Sequence, residues 1–399
     1  MTKNKHKKTL PGSDAVLPDP LPQWLEALPA VRETLMANLV MIGEIPAPTF
    51  DERERIEFLV QRFSECGLQN TSIDEIGNGV GILPGQESNR NILVVAHADT
   101  VFPRSVDHSL TVGHDAVVGP GVADNSLGMA MLASLPTILE RLDIRLQCHL
   151  VLMGAVRGLG RGNLEGLNFF LDNNTLPLEA GLCVEGAQLG RLSYISAGML
   201  RGEIRCRVPE EFDWIQRGAT NALLTLNEVI NRILAIPLPR RPRTSIVLGS
   251  IEGGKGYNVI PTEGLLRFEV RSESEEQVHD IHERLEEIAA EVAALTDSEV
   301  ELQTVARRHP GGLTMRHPLV RTSRRIIETL DMEPRITPSI SELSSLIEHG
   351  IPGVTIGLTE AEHLHTPEER IALQPLYNGM AQFLALLAAI DGGICHDAE

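Results

Sequence analysis

The strongest constraint on the fold of this chain is the alternation of apolar strands with helices through residues 31–173. The segment "NILVVAHADT" is an apolar strand that ends in polar residues, which is typical of a strand buried in a covered sheet. Further strands are predicted over residues 79–83 and 149–153. Helices are predicted over 31–42, 126–142 and 164–173, and a further helix ends near residue 66. This order predicts an α/β sandwich with a mostly parallel sheet. Ligands of such sheets bind beyond the carboxyl ends of the strands.

A different pattern begins near Gly198. The segment "GMLRGEIRCRV" alternates as a half-exposed strand does, and it precedes a helix over 220–234, strands over 244–254 and 264–274, and a helix over 275–295. Two helices on an antiparallel sheet predict a small α+β domain over residues 198–308. The larger domain then comprises residues 23–197 and 309–399, with later elements at 319–330, 353–358 and 375–390. Residues 1–22, which are basic and then proline-rich, are predicted to be a disordered tail.

Composition excludes several classes of function. The 35 basic and 54 acidic side chains give a net charge of −19, which repels phosphate backbones, so no nucleic-acid partner is expected. No apolar run reaches the ~18–20 residues of a membrane span. No apolar segment follows the basic start, so neither a membrane partner nor a signal peptide is expected. The five cysteines are scattered and form no CxxC pair, which favours reduced thiols and a cytoplasmic protein.

Five residues whose side chains could bind or orient a metal ion lie at the ends of strands, ahead of a helix or before a turn. His97 and Asp99 come directly after a buried strand, and a histidine that binds a metal usually donates its other ring N–H to a carboxylate. Asp124 lies in "GPGVADNSLGMA", just ahead of a predicted helix. Glu185 ends an apolar stretch in "CVEGAQLGR", and His365 precedes a turn in "EHLHTPEER". Each residue alone has an ordinary explanation, as a helix cap or a loop side chain.

Taken in order, these motifs resemble those of the zinc metallopeptidase and deacylase family. Its members include aminoacylase, acetylornithine deacetylase, succinyl-diaminopimelate desuccinylase, peptidase T and glutamate carboxypeptidases. The resemblance rests on H-x-D-T-V, G-x-G-x-x-D-N-x-x-G, a lone acidic residue before glycine, and H-T-P-E-E-R, and it covers roughly residues 30–390. It implies a zinc-exopeptidase-like three-layer α/β/α catalytic domain with an inserted α+β lid, which often mediates dimerisation in this family.

The resemblance also implies roles for particular residues. His97, Asp124 and Glu185 would hold one zinc ion, and Asp99 would orient His97. Asp124 would bridge to a second zinc ion that His365 and a further glutamate complete in the family.

The lid supplies the remaining residues that the resemblance implies. Asn258 and Arg271 match lid residues that contact substrate, and Arg271 suits a carboxylate. The expected ligand is therefore a small carboxylate-bearing molecule or a peptide, and the expected partner is a second copy of the chain bound through the lid.

The chain departs from the family at the position of two residues that the family uses for catalysis and zinc binding. The family has a pair of glutamates after the second buried strand: the first is the general base and the second binds zinc. This chain has "GAVRGLGRGNLEG" there, so the pair falls on Gly158 and Leu159 while the surrounding glycines align. Glycine cannot accept a proton, leucine cannot bind a metal, and Glu165 comes too late along the chain. We therefore expect one zinc ion at most, and expect glutamates restored at both positions to recover the second.

Two further positions differ from the residues that are usual in the family. The histidine that polarises the scissile carbonyl in the family falls on Phe212, in "VPEEFDW". In the segment "SELSS", Ser344 stands where asparagine is usual in the family.

Three functions are compatible with the sequence. The first is an impaired hydrolase or pseudo-enzyme that keeps the family fold and the N-acyl amino acid or peptide site. The second is an active zinc hydrolase with a rebuilt site, in which His363 or His108 supplies a ligand or base. The third is an anion-binding or partner-binding module that uses Arg157 and Arg161 beside a helix N-terminus.

Overall fold

The computed structural model describes residues 21–86, 89–208, 221–257 and 259–395. Residues 1–20 of the expected disordered tail lie outside this range. Leu21 and Pro22 belong instead to the first helix, because Leu21 and Trp24 are buried against the core.

The described residues form eighteen strands and ten α-helices. The strands are β1 (Gln69–Ile73), β2 (Gly79–Leu83), β3 (Asn91–His97), β4 (Thr111–Val112), β5 (Ala116–Val118), β6 (His149–Ala155), β7 (Leu178–Glu185), β8 (Arg191–Ser193), β9 (Ile195–Ser196), β10 (Gly198–Arg207), β11 (Thr244–Gly253), β12 (Glu263–Ser272), β13 (Glu299–Arg308), β14 (Gly311–Gly312), β15 (Arg335–Ile336), β16 (Gly353–Gly357), β17 (Ala361–Glu362) and β18 (Arg370–Ala372). The helices are α1 (Leu21–Ala27), α2 (Arg32–Gly43), α3 (Arg53–Glu65), α4 (Leu127–Arg141), α5 (Glu165–Asn173), α6 (Ala222–Leu234), α7 (Glu275–Thr296), α8 (Pro318–Thr329), α9 (Glu342–Glu348) and α10 (Leu376–Asp391).

The larger domain is built on an eight-stranded sheet in the order β1-β2-β6-β3-β7-β16-β8-β15. Its four central strands, β6, β3, β7 and β16, are parallel. The side chains of β3 alternate between two cores: Ile92 and Val94 pack with α4 and α10, whereas Leu93 and Val95 pack with α5 and α9. Burial on both faces explains why the strand is apolar throughout, and it confirms the three-layer α/β/α arrangement.

Residues 198–308 contain a second, antiparallel sheet in the order β11-β12-β10-β13. Its two long helices, α6 and α7, begin at side-chain caps from Asn221 and Ser274 and cover one face. The other face is polar, since β10 turns Leu200 and Ile204 towards the helices but Arg201 and Glu203 away from them. This unit, an α+β lid, therefore presents charged side chains to the larger domain.

One helical stretch among the described residues, Val122–Arg141, has the length and apolar composition of a membrane span. The protein buries 89% of the apolar window in this stretch, as is usual for the central helix of a folded domain.

Candidate metal centre

Three of the predicted ligands meet at the carboxyl edge of the main sheet. His97 is the last residue of β3 and Glu185 the last residue of β7, and these strands are parallel neighbours. Asp124 comes from the turn just before α4. Strands that run side by side in one direction end side by side, so the fold itself brings His97 and Glu185 together.

The three side chains are spaced as a metal ion requires. The Nε2 atom of His97 lies 3.0 Å from Oδ1 of Asp124 and 3.8 Å from Oε2 of Glu185. All three donor atoms lie within 4.8 Å of one another. Two ligand atoms, each about 2 Å from a tetrahedral zinc ion, lie ~3.3 Å apart. One imidazole nitrogen and two carboxylates at these distances therefore fit a zinc ion, and we call this cluster the metal centre.

Asp99 fixes the orientation of His97. The Nδ1 atom of His97 donates to the main-chain oxygen of Asp99 at 3.0 Å and lies 3.4 Å from its carboxylate. The Asp99 carboxylate is itself held, since it accepts hydrogen bonds from the Thr49 hydroxyl and from the amides of Gly158 and Leu159. With Nδ1 engaged, Nε2 of His97 is the nitrogen directed at the metal centre.

Electrostatics in the metal centre favour a cation. Although burial opposes it, hydrogen bonding to Asp124 and Asp99 raises the pKa of His97 above its ordinary value. Burial raises the pKa of Glu185 to about 7, with added repulsion from the negative charges of Glu342 and Asp124. Four carboxylates, of Asp99, Asp124, Glu185 and Glu342, thus act on one site, and the charge of a divalent ion would offset their mutual repulsion.

His365 joins the same cluster from the opposite side of Asp124. Its Nε2 atom lies 2.8 Å from Oδ2 of Asp124, and its side chain is 58% exposed. The buried Glu369 positions both residues, because its carboxylate accepts hydrogen bonds from the amides of Ala123, Asp124 and His365. Sequence reasoning did not identify Glu369 as a positioning residue, although it lies within the "HTPEER" motif.

For the second metal ion that the resemblance implies, the described residues bring together Asp124 and His365. Where the family has its glutamate pair, the backbone instead donates two amide hydrogen bonds to Asp99. A Cβ atom at Gly158 would lie 3.0 Å from Oδ1 of Asp99 and 3.3 Å from Cβ of His97. A side chain at position 158 would therefore press on Asp99 and on His97 itself. Recovery of a second zinc ion by restored glutamates stays a prediction.

The other candidate site residues lie apart from the metal centre. Asn258 and Phe212 are outside the described residues. Arg271 is on β12 of the lid, 53% exposed, with its Nε atom 2.5 Å from Glu269. Ser344 is buried in α9 and donates to the main-chain oxygen of Ser341 at 2.7 Å.

Neither proposed replacement histidine joins the cluster. The Nε2 atom of the buried His108 pairs with the main-chain oxygen of Pro103 at 3.2 Å, and His363 is exposed. Among the described residues, the donor atoms that converge are those of His97, Asp124 and Glu185.

Carboxylates already neutralise the basic loop after β6. Arg157 pairs with Glu165 at 3.0 Å, and Arg161 pairs with Glu203 of the lid. These ion pairs argue against an anion-binding function for the loop. That function stays a prediction.

A buried cation, Arg55, lies beneath the metal centre and was not identified from the sequence. Its guanidinium donates to the main-chain oxygens of Ala98 and Ile45. Burial lowers the pKa of Arg55 to about 10, while the charges of Asp99 and Glu52 oppose that fall. Arg55 therefore holds the backbone between His97 and Asp99. Its place in a helix gives no sequence signal for this role.

Comparison with known proteins agrees with the fold. A family model described as "Peptidase dimerisation domain" matches residues 216–297. The chain has the fold of the M20 peptidases. No curated protein matches its sequence.

Three solved structures illustrate the likeness. The dipeptidase Dug1p of Saccharomyces cerevisiae has a TM-score of 0.77 at 12% identity, over 94% of this chain and 99% of that one. The aminopeptidase PepT of Bacillus cereus has a TM-score of 0.69 at 18% identity, over 90% and 98%. The YXEP protein of Bacillus subtilis, described as a dinuclear metal-binding peptidase from the M20 family, has a TM-score of 0.60 at 16% identity, over 91% and 98%.

Proposed function

We propose that this protein binds a single zinc ion at the metal centre and is an impaired hydrolase of N-acyl amino acids or short peptides. The observation that carries the proposal is the convergence of His97, Asp124 and Glu185 beside a loop that lacks both glutamates. Three protein ligands with an open fourth position are usual for catalytic zinc. The dinuclear arrangement of the YXEP protein would need a further ligand beside Asp124 and His365.

The residues support binding better than rapid catalysis. Zinc supplies Lewis-acid polarisation of a carbonyl oxygen. Asp99 holds His97 in the tautomer that a metal ligand needs, and Glu369 holds the loops of Asp124 and His365 together. Gly158 stands where the family has its general base, and loss of a general base typically lowers the rate by ~10²–10⁴-fold. We therefore infer slow hydrolysis.

The substrate class follows from the fold and the lid. Similar structures include an aminopeptidase and a dipeptidase. Arg271 pairs with Glu269 through Nε only and is 53% exposed, so its two terminal nitrogens, which have no partner among the described residues, suit a substrate carboxylate. We also infer a cytoplasmic location, since all five cysteines are unpaired thiols; cell fractionation tests that inference.

Zinc content is the first test. Elemental analysis of purified protein is expected to give one zinc ion per chain, with a melting temperature that falls on chelation and returns with zinc. His97→Ala and Glu185→Ala should each bind little zinc. His114→Ala, which changes an exposed histidine, is the control and should bind zinc as the wild type does.

A hydrolysis screen tests the second part of the proposal. N-acyl amino acids and dipeptides are expected to turn over slowly, well below the ~1–10³ s⁻¹ of ordinary enzymes. Two zinc ions per chain, or turnover within that ordinary range, would contradict an impaired single-metal site.

We further propose that two copies associate through the lid. The edge strand β11 carries Val247 and Ile251, which are 52% and 53% exposed. The opposite edge strand, β13, carries Glu299 and Glu301, and charged side chains discourage pairing at a sheet edge. A second copy therefore fits the β11 edge better than the β13 edge.

A further inference from the structure

A carboxylate from another part of the chain lies beside the gap at Gly158. Glu342 is the first residue of α9, and its side chain is 3% exposed. A Cβ atom built on Gly158 would lie 3.6 Å from Oε1 of Glu342 and 3.3 Å from Cβ of His97. Glu342 belongs to a different element, but its carboxylate lies beside the space next to His97 that a side chain at position 158 would occupy.

The buried carboxylate of Glu342 interacts with the charges of His97 and Arg308 without direct contact. No described residue donates a hydrogen bond to its carboxylate or forms an ion pair with it. Burial of a carboxylate without a hydrogen bond or an ion pair is unfavourable. Its negative charge acts on the metal centre, because it adds to the rise in the pKa of Glu185, of which burial is the larger cause. A cation in the metal centre would compensate the charge that the protein leaves unpaired.

We propose that Glu342 replaces the carboxylate that the Gly158–Leu159 loop lacks. This inference rests on the proposed metal centre and deepens it. Glu342 is not one of the three residues whose donor atoms converge, so it acts as an outer carboxylate that strengthens cation binding through its charge.

Glu342 also supplies a base for the slow hydrolysis that we infer. As a water oxygen bonds to the amide carbonyl carbon, the water loses a proton to the Glu342 carboxylate. That proton then passes to the leaving nitrogen as the C–N bond breaks, and the carboxylate is regenerated. The step needs no group other than water and the amide.

The test compares two glutamates of one helix in full-length protein. Glu342→Gln removes the buried charge, and Glu348→Gln removes an exposed charge at the other end of α9. The dissociation constant for zinc is measured by competition with a chromophoric chelator, and the coordination by the visible spectrum of the cobalt-loaded protein. We expect Glu342→Gln to weaken zinc binding by about 10–100-fold, and Glu348→Gln to change it less than about twofold.

The melting temperature of the metal-free proteins separates this role from a structural one. A neutral amide is easier to bury than an unpaired carboxylate, so metal-free Glu342→Gln should melt no lower than the wild type. Lower melting with unchanged zinc affinity would identify a structural carboxylate and overturn the proposal. Any hydrolysis measured for the wild type should be lost in Glu342→Gln and kept in Glu348→Gln.

Failure of this proposal and failure of the proposed function give different experimental results. If the wild type binds zinc and Glu342→Gln binds it equally well, only the role of Glu342 is overturned. If the wild type binds no zinc, the metal centre is overturned, and the role of Glu342 with it. Zinc affinity decides the question whether or not hydrolysis is measurable.

Discussion

At the scale of single residues, Asp99 links His97 of the metal centre to the loop between β6 and α5. Its carboxylate accepts hydrogen bonds from Thr49, Gly158 and Leu159 and lies beside Nδ1 of His97. Asp99→Asn keeps the shape of the side chain but removes its charge and one acceptor oxygen. At least one buried donor then lacks a partner, which should lower the free energy of unfolding by about 1–3 kcal/mol.

The same substitution should weaken zinc binding by about 10–100-fold, because the ring of His97 loses the partner that orients it. Urea unfolding and chelator competition measure the two effects. Asp143→Asn, at an exposed aspartate, serves as the control. Zinc affinity unaltered by Asp99→Asn would mean that His97 is oriented by the main-chain oxygen alone.

Residues that follow a strand or precede a helix were predictable, because their position in an element is visible in the sequence. His97 and Glu185 end strands, and Asp124 precedes a helix. Glu342 and Arg55 were not predictable, because each acts through contacts that only the packing of distant elements creates. Glu342 lies beside Gly158, and Arg55 lies beneath Ala98.

At the scale of elements, the loop between β6 and α5 is attached to the polar face of the lid sheet. Glu203 of β10 binds Arg161 of this loop and also Arg267 of β12. Arg201 donates to the main-chain oxygen of Gly160 at 2.8 Å. The loop that carries catalytic groups in the family thus serves here as a contact between the two domains.

Glu203→Gln should loosen this contact. Glu203 is buried, and charged hydrogen bonds of this kind contribute about 1.5–3 kcal/mol. The expected results are a lower free energy of unfolding and faster amide hydrogen exchange over residues 158–163. Glu252→Gln, which removes a more exposed partner of Arg267, is the control and should leave exchange in the loop unchanged.

The effect should depend on pH. Although burial opposes it, bonding to Arg161 and Arg267 lowers the pKa of Glu203 below its ordinary 4.5. The folded carboxyl binds protons less tightly than the unfolded one, so its stabilisation is complete above pH ~4.5 and is lost as pH falls through the folded pKa. The difference between wild type and Glu203→Gln should shrink in that acidic range. A constant difference from pH 7 to pH 3 would contradict the ion-pair explanation.

The long helices were predictable because periodicity and capping residues fix them locally. The helix predicted over 126–142 is Leu127–Arg141, and the helix predicted over 275–295 is Glu275–Thr296. Helix α9 and the short strands that flank the His365 loop were not predicted. Elements of two to seven residues exist through tertiary contacts and leave too few residues for a period to show.

At the scale of the whole molecule, the lid should hold two copies of the chain together. The match to a peptidase dimerisation domain covers residues 216–297, which include α6, β11 and β12. An edge strand with unpaired backbone groups pairs readily with the same strand of another copy. Val247 and Ile251 would then pass from water into the interface, and their burial favours association.

Replacing both residues with lysine should therefore favour the monomer. Val247→Lys with Ile251→Lys places two positive charges opposite the same two charges of the partner, as lysines do on protected sheet edges. Light scattering coupled to size-exclusion chromatography should give twice the chain mass for the wild type and a single chain mass for the double variant. Val112→Lys, at an exposed valine of β4 in the larger domain, should remain dimeric. Equal zinc content in all three proteins would show that the metal centre is complete within one chain, whereas zinc lost only from the monomer would mean that the second copy holds the lid over it.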